Sequence, residues 1–232
     1  HRPQLEHGDE DRGADAGRVA VPKHGWKWRT ERIRELSEDH LRDFLQRHYR
    51  GAVSAKLARW VFENLGDEMP FIRFTALERI AYDDRCLWGM DYLWNLLPAY
   101  KHDPFGDWIV IALTRGTVTD PTRDIERFID LYRDEAAHPM TRASAIFGIS
   151  NAVTVAGYED DPKPIAPDTK IRMRATCASA IVDRNPYARA GAGWLAPKIG
   201  GFEKELLVLA TDHAEIYPGG GLTVAEYAED WT

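Results

Sequence analysis

The sequence predicts an all-α fold: a short αα-solenoid of stacked helix pairs, preceded by an irregular N-terminal arm. Three observations carry this. From residue 30 onward apolar residues recur at helical spacing. No stretch alternates with period two for long enough to form a strand. Four motifs open on one residue and a proline: "MPFIRFTAL" (69–77), "DPFGDWIVIAL" (103–113), "HPMTRASAI" (138–146) and "NPYARAGAGWL" (185–195). Their prolines, Pro70, Pro104, Pro139 and Pro186, stand 34, 35 and 47 residues apart, and Pro218 follows after another 32. A period in the thirties with helical content is the mark of stacked helix pairs, none of which can bury its apolar face alone.

The elements follow in order. Residues 1–29 lack periodicity and are rich in glycine and charge, so they read as an irregular arm ending in Trp26 and Trp28, which could dock onto the domain or a neighbour. The helical repeat domain spans 30–232. Its first pattern, 30–49, carries Ile33, Leu36, Leu41, Phe44 and Leu45, with Ser37 a candidate N-cap partway along. The first helix of each pair (A) is then expected over 54–66, 86–101, 120–136, 169–184 and 203–215, and the second (B) over 70–82, 105–115, 139–156 and 186–198. Proline suits the first turn of a B helix, where its missing N–H would be unpaired anyway, and it ends the helix before it. "TDPTRD" (119–124) marks another start, with Asp120 as N-cap and Pro121 at the first helical position. "CLWGMDYLWNLLPAY" (86–100) is apolar on most sides, which points to burial on more than one, and Pro98 should kink or end it. The 47-residue interval contains "GYEDDPKPIAPD" (157–168), an acidic, proline-rich stretch of twelve. Removing it restores a period of 35, so it reads as a loop that leaves the stack, with Glu159, Asp160 and Asp161 placed to meet a basic partner.

Composition narrows the function. The 232 residues carry a formal net charge of −7, while residues 1–30 hold five acids and six bases, so the acidity belongs to the folded part. That disfavours nucleic acid, whose binding rests on a basic face, and fits a basic or mixed protein partner. Cys86 and Cys177 have no CxxC spacing and read as buried, reduced thiols. No apolar run approaches the length of a membrane span. The chain begins at His1, as an excised or processed piece would. The expectation is a soluble, intracellular protein, organellar (mitochondrial) if a targeting peptide has been removed. There is no P-loop, GxSxG, HExxH or dinucleotide fingerprint, and no cofactor is expected. Glu135 and His138 have the i, i+3 spacing of a carboxylate-bridged metal site, but such a site needs a second copy and none is present, so no metal is assigned.

The pattern P-x-x-R-x-x-A occurs as Pro70-Arg73-Ala76, Pro139-Arg142-Ala145 and Pro186-Arg189-Ala192. It resembles the start of the second helix in HEAT-type repeats, over roughly residues 50–216. The resemblance implies an αα-superhelix and no particular activity. In that family the recurring Arg commonly joins a ladder of turn acids between neighbouring repeats; here the second unit has Asp107 at the Arg position. A more specific similarity is to the HEAT-like alkylpurine DNA glycosylases, which use an Asp, an Arg about one repeat later, and tryptophans flanking the lesion. Asp107 and Arg142 lie 35 residues apart and Trp194 stands near a later tryptophan of that family, while its tryptophan one turn before the Asp falls on Asp103.

Two functions from different classes follow. The preferred one is a non-catalytic scaffold that binds other proteins, as an accessory subunit or adaptor of a larger complex. The alternative is a glycosylase removing alkylated purines through Asp107, Arg142 and Trp194. An immunity or inhibitor protein for a basic toxin shares the charge argument of the first.

Overall fold

The computed structural model describes residues 37–47, 55–65, 70–82, 88–116, 118–157 and 163–228. The arm with Trp26 and Trp28, Cys86, and the loop acids Glu159, Asp160 and Asp161 lie outside the described residues. Those described form eleven helices and no strand, with one isolated antiparallel bridge between Glu215 and Thr223. None of these helices is long and apolar enough to cross a membrane.

In chain order the helices are α1 (Glu38–Arg47), α2 (Ala55–Leu65), α3 (Pro70–Ala81), α4 (Trp88–Tyr100), α5 (Phe105–Arg115), α6 (Pro121–Arg133), α7 (Pro139–Ala156), α8 (Pro167–Ile181), α9 (Pro186–Ile199), α10 (Glu203–Leu209) and α11 (Val224–Ala228). The expected pairs are present: α2 packs on α3, α4 on α5, α6 on α7 and α8 on α9. The B helices also pack on one another in succession, α3 on α5, α5 on α7 and α7 on α9. In the outer layer α6 reaches α8, whereas α4 meets α6 chiefly through Trp94, which packs on Phe128 and Arg127. One continuous apolar core runs from Leu41 of α1 to Val224 of α11.

The starts follow the local rules. Ser37 caps α1, its Oγ accepting from His40 N–H at 3.4 Å. Asp120 caps α6 by accepting from Arg123 N–H at 3.1 Å, with Pro121 behind it. His138 Nδ1 accepts from Met140 N–H at 3.3 Å at the head of α7. Pro98 lies inside α4, which ends two residues later at Tyr100.

Three expectations need correction. The loop expected over 157–168 is shorter: Pro167 starts α8, since proline is compatible with a first helical turn. The base of the loop does not leave the stack. Lys163 N–H donates to the Ala156 carbonyl at 3.0 Å, Ala166 N–H donates to Thr122 Oγ1 at 3.2 Å, and Ile165 packs against the core. The fifth A helix, expected over 203–215, is shorter as well. Helix α10 stops at Leu209, and Pro218 sits in a loop with Gly219 and Gly221 at positive φ rather than opening a B helix. A tight turn closed by Ile216 N–H on the Leu222 carbonyl (2.8 Å) leads instead to the short α11. That helix opens on a capping box in which Thr223 N–H donates to Glu226 Oε2 and Glu226 N–H to Thr223 Oγ1.

Consecutive units are joined at their A–B turns by one repeated device. Asp103, Asp134, Asp183 and Asp212 each accept from the backbone N–H two residues on, at 2.7, 3.1, 2.8 and 3.0 Å. Three of these acids are also held from the preceding unit. Lys101 Nζ reaches Asp134 at 2.6 Å, the Tyr132 hydroxyl donates to Asp183 at 2.7 Å, and Arg189 binds Asp212 through two nitrogens at 2.6 and 3.2 Å. Of the three recurring arginines, Arg189 pairs with a turn acid among the described residues. Arg142 Nε donates to the Tyr132 carbonyl at 2.8 Å, and Arg73 lies over the Phe105 ring at 4.3 Å. Burial alone would raise the Asp212 pKa; the Arg189 guanidinium and Ala214 N–H outweigh it and hold the carboxyl below its ordinary value.

Asp212→Ala should cost about 1–3 kcal/mol, because it strands a half-buried guanidinium and opens the turn. At roughly 2–4 °C per kcal/mol for a chain of this size, the loss is readable by thermal denaturation. Asp130→Ala, which removes an exposed partner of Arg172 (2.6 Å), should cost about 0–1 kcal/mol. Equal losses in the two variants would mean that the turn ladder does not hold the units together.

Candidate functional site

The open side of the B helices carries a cluster of polar groups and rings. On α9, Tyr187, Gly191, Trp194 and Lys198 fall on one stripe, being four, three and four residues apart. Gly191 makes the packing close there: a Cβ would meet the Phe147 ring at 3.0 Å and Ile146 Cβ at 3.2 Å, so the ring would have to give way. The absence of a Cβ lets the Phe147 ring of α7 lie 4.7 Å from that of Tyr187. The turn 210–223 then folds back over α9 and brings Tyr217 within 5.1 Å of Tyr187, ring to ring. Helix α11 packs on α9 and sets Tyr227 against both Phe147 (6.1 Å) and Trp194 (5.8 Å). The result is an unbroken run of five rings: Trp194, Tyr227, Phe147, Tyr187, Tyr217. Its two ends are the exposed members, Trp194 at 37% and Tyr217 at 43%.

Beneath the rings sits Asp107, in the first turn of α5 and only 8% exposed. It accepts a short hydrogen bond from Ser144 Oγ of α7. Gly106 makes room for this junction, since a Cβ there would collide with the Tyr100 carbonyl at 2.5 Å. The Tyr187 hydroxyl interacts in turn with those of Ser144 and Tyr217. A polar path therefore leads from a buried carboxylate through Ser144 and Tyr187 to Tyr217 at the surface. Burial pushes the Asp107 carboxyl above its ordinary value, against the opposing Ser144 bond and the more distant His138 charge. Burial likewise raises the Tyr187 and Tyr217 phenols, with the Asp107 charge acting in the same direction. At the other end of the stripe Lys198 Nζ donates to Ser150 Oγ at 2.7 Å and lies 5.6 Å from the Trp194 ring centre. Desolvation moves this ammonium below the usual lysine range.

The three residues singled out for a glycosylase are distributed differently. Asp107 and Trp194 are both on the B-helix side. Arg142 is turned toward α6, where it binds the Tyr132 carbonyl and lies 5.5 Å from the centre of that ring. The side chain that meets Asp107 across the repeat is Ser144, two residues further on and so on another face of α7. Ser144, Phe147, Tyr187, Tyr217 and Tyr227 escaped notice in the sequence. Tyr187 and Trp194 stand seven residues apart in "NPYARAGAGWL", which was the available signal; nothing in the pattern announces that the C-terminal turn comes back to Tyr187. Cys177 is fully buried, with its thiol pushed up to about 12 by burial, an inert core group as expected. Among the described residues no group of three His, Cys, Asp or Glu side chains could hold a metal ion. No protein-family model, curated protein or solved structure matches the chain.

A group whose folded-state pKa is raised takes up a proton more readily when folded, so its contribution falls as pH rises through the folded value. Asp107 is such a group. Asp107→Asn keeps the shape and removes the charge. The stability difference, variant minus wild type, should therefore become more positive between pH 4 and pH 8. Thermal melts of both proteins across that range check this. A difference that stays flat would show that Asp107 is not held above its ordinary pKa.

Proposed function

We propose that the chain is a non-catalytic, HEAT-like helical-repeat scaffold that binds another protein through the B-helix side, as a subunit or adaptor of a larger assembly. The observation that carries this reading is the run of five rings with its exposed ends, Trp194 and Tyr217. Trp and Tyr are the residues that most often anchor protein interfaces, since each offers a large rigid surface and a polar tip. The rings are supported from below by rigid helices, so little order has to be gained on binding. The net charge of −7 favours a basic or mixed partner surface. An immunity or inhibitor protein acting on a basic toxin is one form that such a scaffold takes.

The glycosylase reading retains one supporting observation, the placement of Asp107 below the aromatic run on the B-helix side. It is the weaker of the two. Asp107 is only 8% exposed and its carboxylate is already engaged by Ser144 Oγ. The arginine meant to hold phosphate is engaged with Tyr132. Release of methylated purines from alkylated DNA, abolished by Asp107→Asn, would restore this reading and displace the scaffold.

A photo-crosslinking residue placed at Trp194 should capture one defined protein in extract of the native cells. The same residue at Arg133, on the A-helix side, should not. Tyr217→Ala, at about 2 kcal/mol for an anchor of this kind, should reduce capture roughly thirtyfold without moving the thermal midpoint by more than a few degrees. Equal labelling from both positions, or none from Trp194, would overturn the proposal.

A further inference from the structure

The outer surface of α8 carries a feature that neither the stack nor the aromatic run uses. Three sides of this helix are occupied. Met173, Cys177, Ala180 and Ile181 are buried in the core. Toward α6, Thr169 Oγ1 donates to Glu126, Arg172 pairs with Glu126 and with Asp130 (2.6 Å), and Arg133 Nη2 donates to Thr176 Oγ1 at 3.4 Å. On the opposite flank Arg174 Nη2 donates to the Ile199 carbonyl at 2.7 Å. The fourth side is apolar and bare. Ile171 is 67% exposed and Val182, the residue that ends the helix, 77%, with Ala175 and Ala178 exposed between them. At about 100° per residue these four fall within about 60° of arc, so they form one straight stripe.

The stripe reads the same from either end. Its spacings are four, three and four residues, symmetrical about a point between Thr176 and Cys177. Bulk follows the same symmetry, with an alanine on each side of the centre and a β-branched residue at each end. The charges at the two ends are opposite. Asp168, in the first turn, and Arg184, just past the last, are both exposed, and neither has an ion pair among the described residues. A two-fold contact asks for this pattern, because in it residue i of one copy meets residue j of the other, and j meets i.

We propose that this face pairs with the same face of a second copy, in an antiparallel α8–α8 contact across a two-fold axis. Ile171 meets the partner's Val182, Ala175 the partner's Ala178, and Asp168 the partner's Arg184, each twice in the dimer. The central alanines let the two backbones come close, and the β-branched ends close the seam. Antiparallel helices also set each positive N-terminal end beside a negative C-terminal one. An unrelated partner would impose no such symmetry on the spacing. Four stripe residues a side are far fewer than the roughly 20–30 of a stable interface, so the contact is weak, with a Kd on the order of 0.1 mM. The face belongs to the outer layer, away from Trp194 and Tyr217, so it stands or falls separately from the protein-binding reading.

Sedimentation equilibrium of the whole chain, from 10 µM to 1 mM in 0.15 M salt, tests this. The mass should rise from 26.4 kDa toward twice that value and stop there, since a two-fold contact closes on itself. Ile171→Glu should weaken association at least tenfold. Leu207→Glu, at another exposed apolar position (73%) on α10, should leave it unchanged. Both side chains are exposed, so neither change should move the thermal midpoint by more than a few degrees. Reversing one end charge, by Asp168→Arg or Arg184→Asp, should weaken the dimer about fivefold, and the two reversals together should restore it. The two positions are 16 residues apart, about 24 Å along a helix, too far to rescue each other within one chain. A mass that stays at 26.4 kDa up to 1 mM, or one that grows past the dimer, would overturn the proposal. So would loss of association through Leu207→Glu rather than Ile171→Glu, or no rescue by the double reversal.

Discussion

Helix α7 is covered on several sides at once, and the rest of the structure is arranged around that constraint. It packs on α6, its own partner, and on α5 and α9 to either side. Ten of its residues are buried, and apart from Ile146 and Ile149 they are small: Thr141, Ala143, Ser144, Ala145, Gly148, Ser150, Ala152 and Ala156. A helix enclosed in this way cannot present one broad apolar stripe and a polar back. It must let its neighbours come close, and close approach requires small side chains. At Gly148 a Cβ would meet the Phe128 ring at 2.5 Å, so the contact between α6 and α7 depends on having none. The facing helix α9 follows the same rule, with Ala188, Ala190, Gly191, Ala192 and Gly193 all buried.

Small residues bring polar ones with them, since serine and threonine fit where leucine does not. Once buried, they need partners. Ser144 finds Asp107, and Ser150 finds the Trp194 carbonyl at 3.2 Å and Lys198 Nζ at 2.7 Å. The polar part of the candidate site is therefore a consequence of how the B helices pack. The aromatic part adjoins it, where Gly191 of α9 leaves room for the Phe147 ring of α7 and the C-terminal segment brings Tyr217 and Tyr227 against Tyr187 and Phe147. The outer layer meets the opposite condition. Its helices are held by their own partners, by the turn ladder and by side-chain contacts such as Arg172 on Asp130, and between α4 and α6 a gap is left that Trp94 and Arg127 border.

Much of this was legible in the sequence where the cause is local. A proline at the first helical position acts within one turn, and α3, α6, α7 and α9 begin at Pro70, Pro121, Pro139 and Pro186. Local reasoning failed where two segments distant in sequence meet. Pro218 has the right spacing but lies among glycines, in a turn that closes on itself and returns to α9. Asp107 and Arg142 are equivalent in the repeat, yet equivalence in register does not make two residues face each other. The contact across α5 and α7 falls on Ser144. The turn acids Asp103, Asp134, Asp183 and Asp212 recur at intervals of 31, 49 and 29, more irregularly than the prolines, and their common role shows only in the hydrogen bonds they accept.

The claim on which these relations rest is that α7 is the most enclosed element of one cooperative stack. Native-state hydrogen exchange measures this directly, because each amide reports the free energy of the opening that exposes it. The backbone amides of 145–152 should exchange only through global unfolding, sharing the highest protection in the chain with the central turns of α9. The amides of α4 and α8, with their looser outer contacts, should open at lower free energy. If α7 exchanged by local opening, at or below the protection of those outer helices, the B layer would not be the spine of the fold.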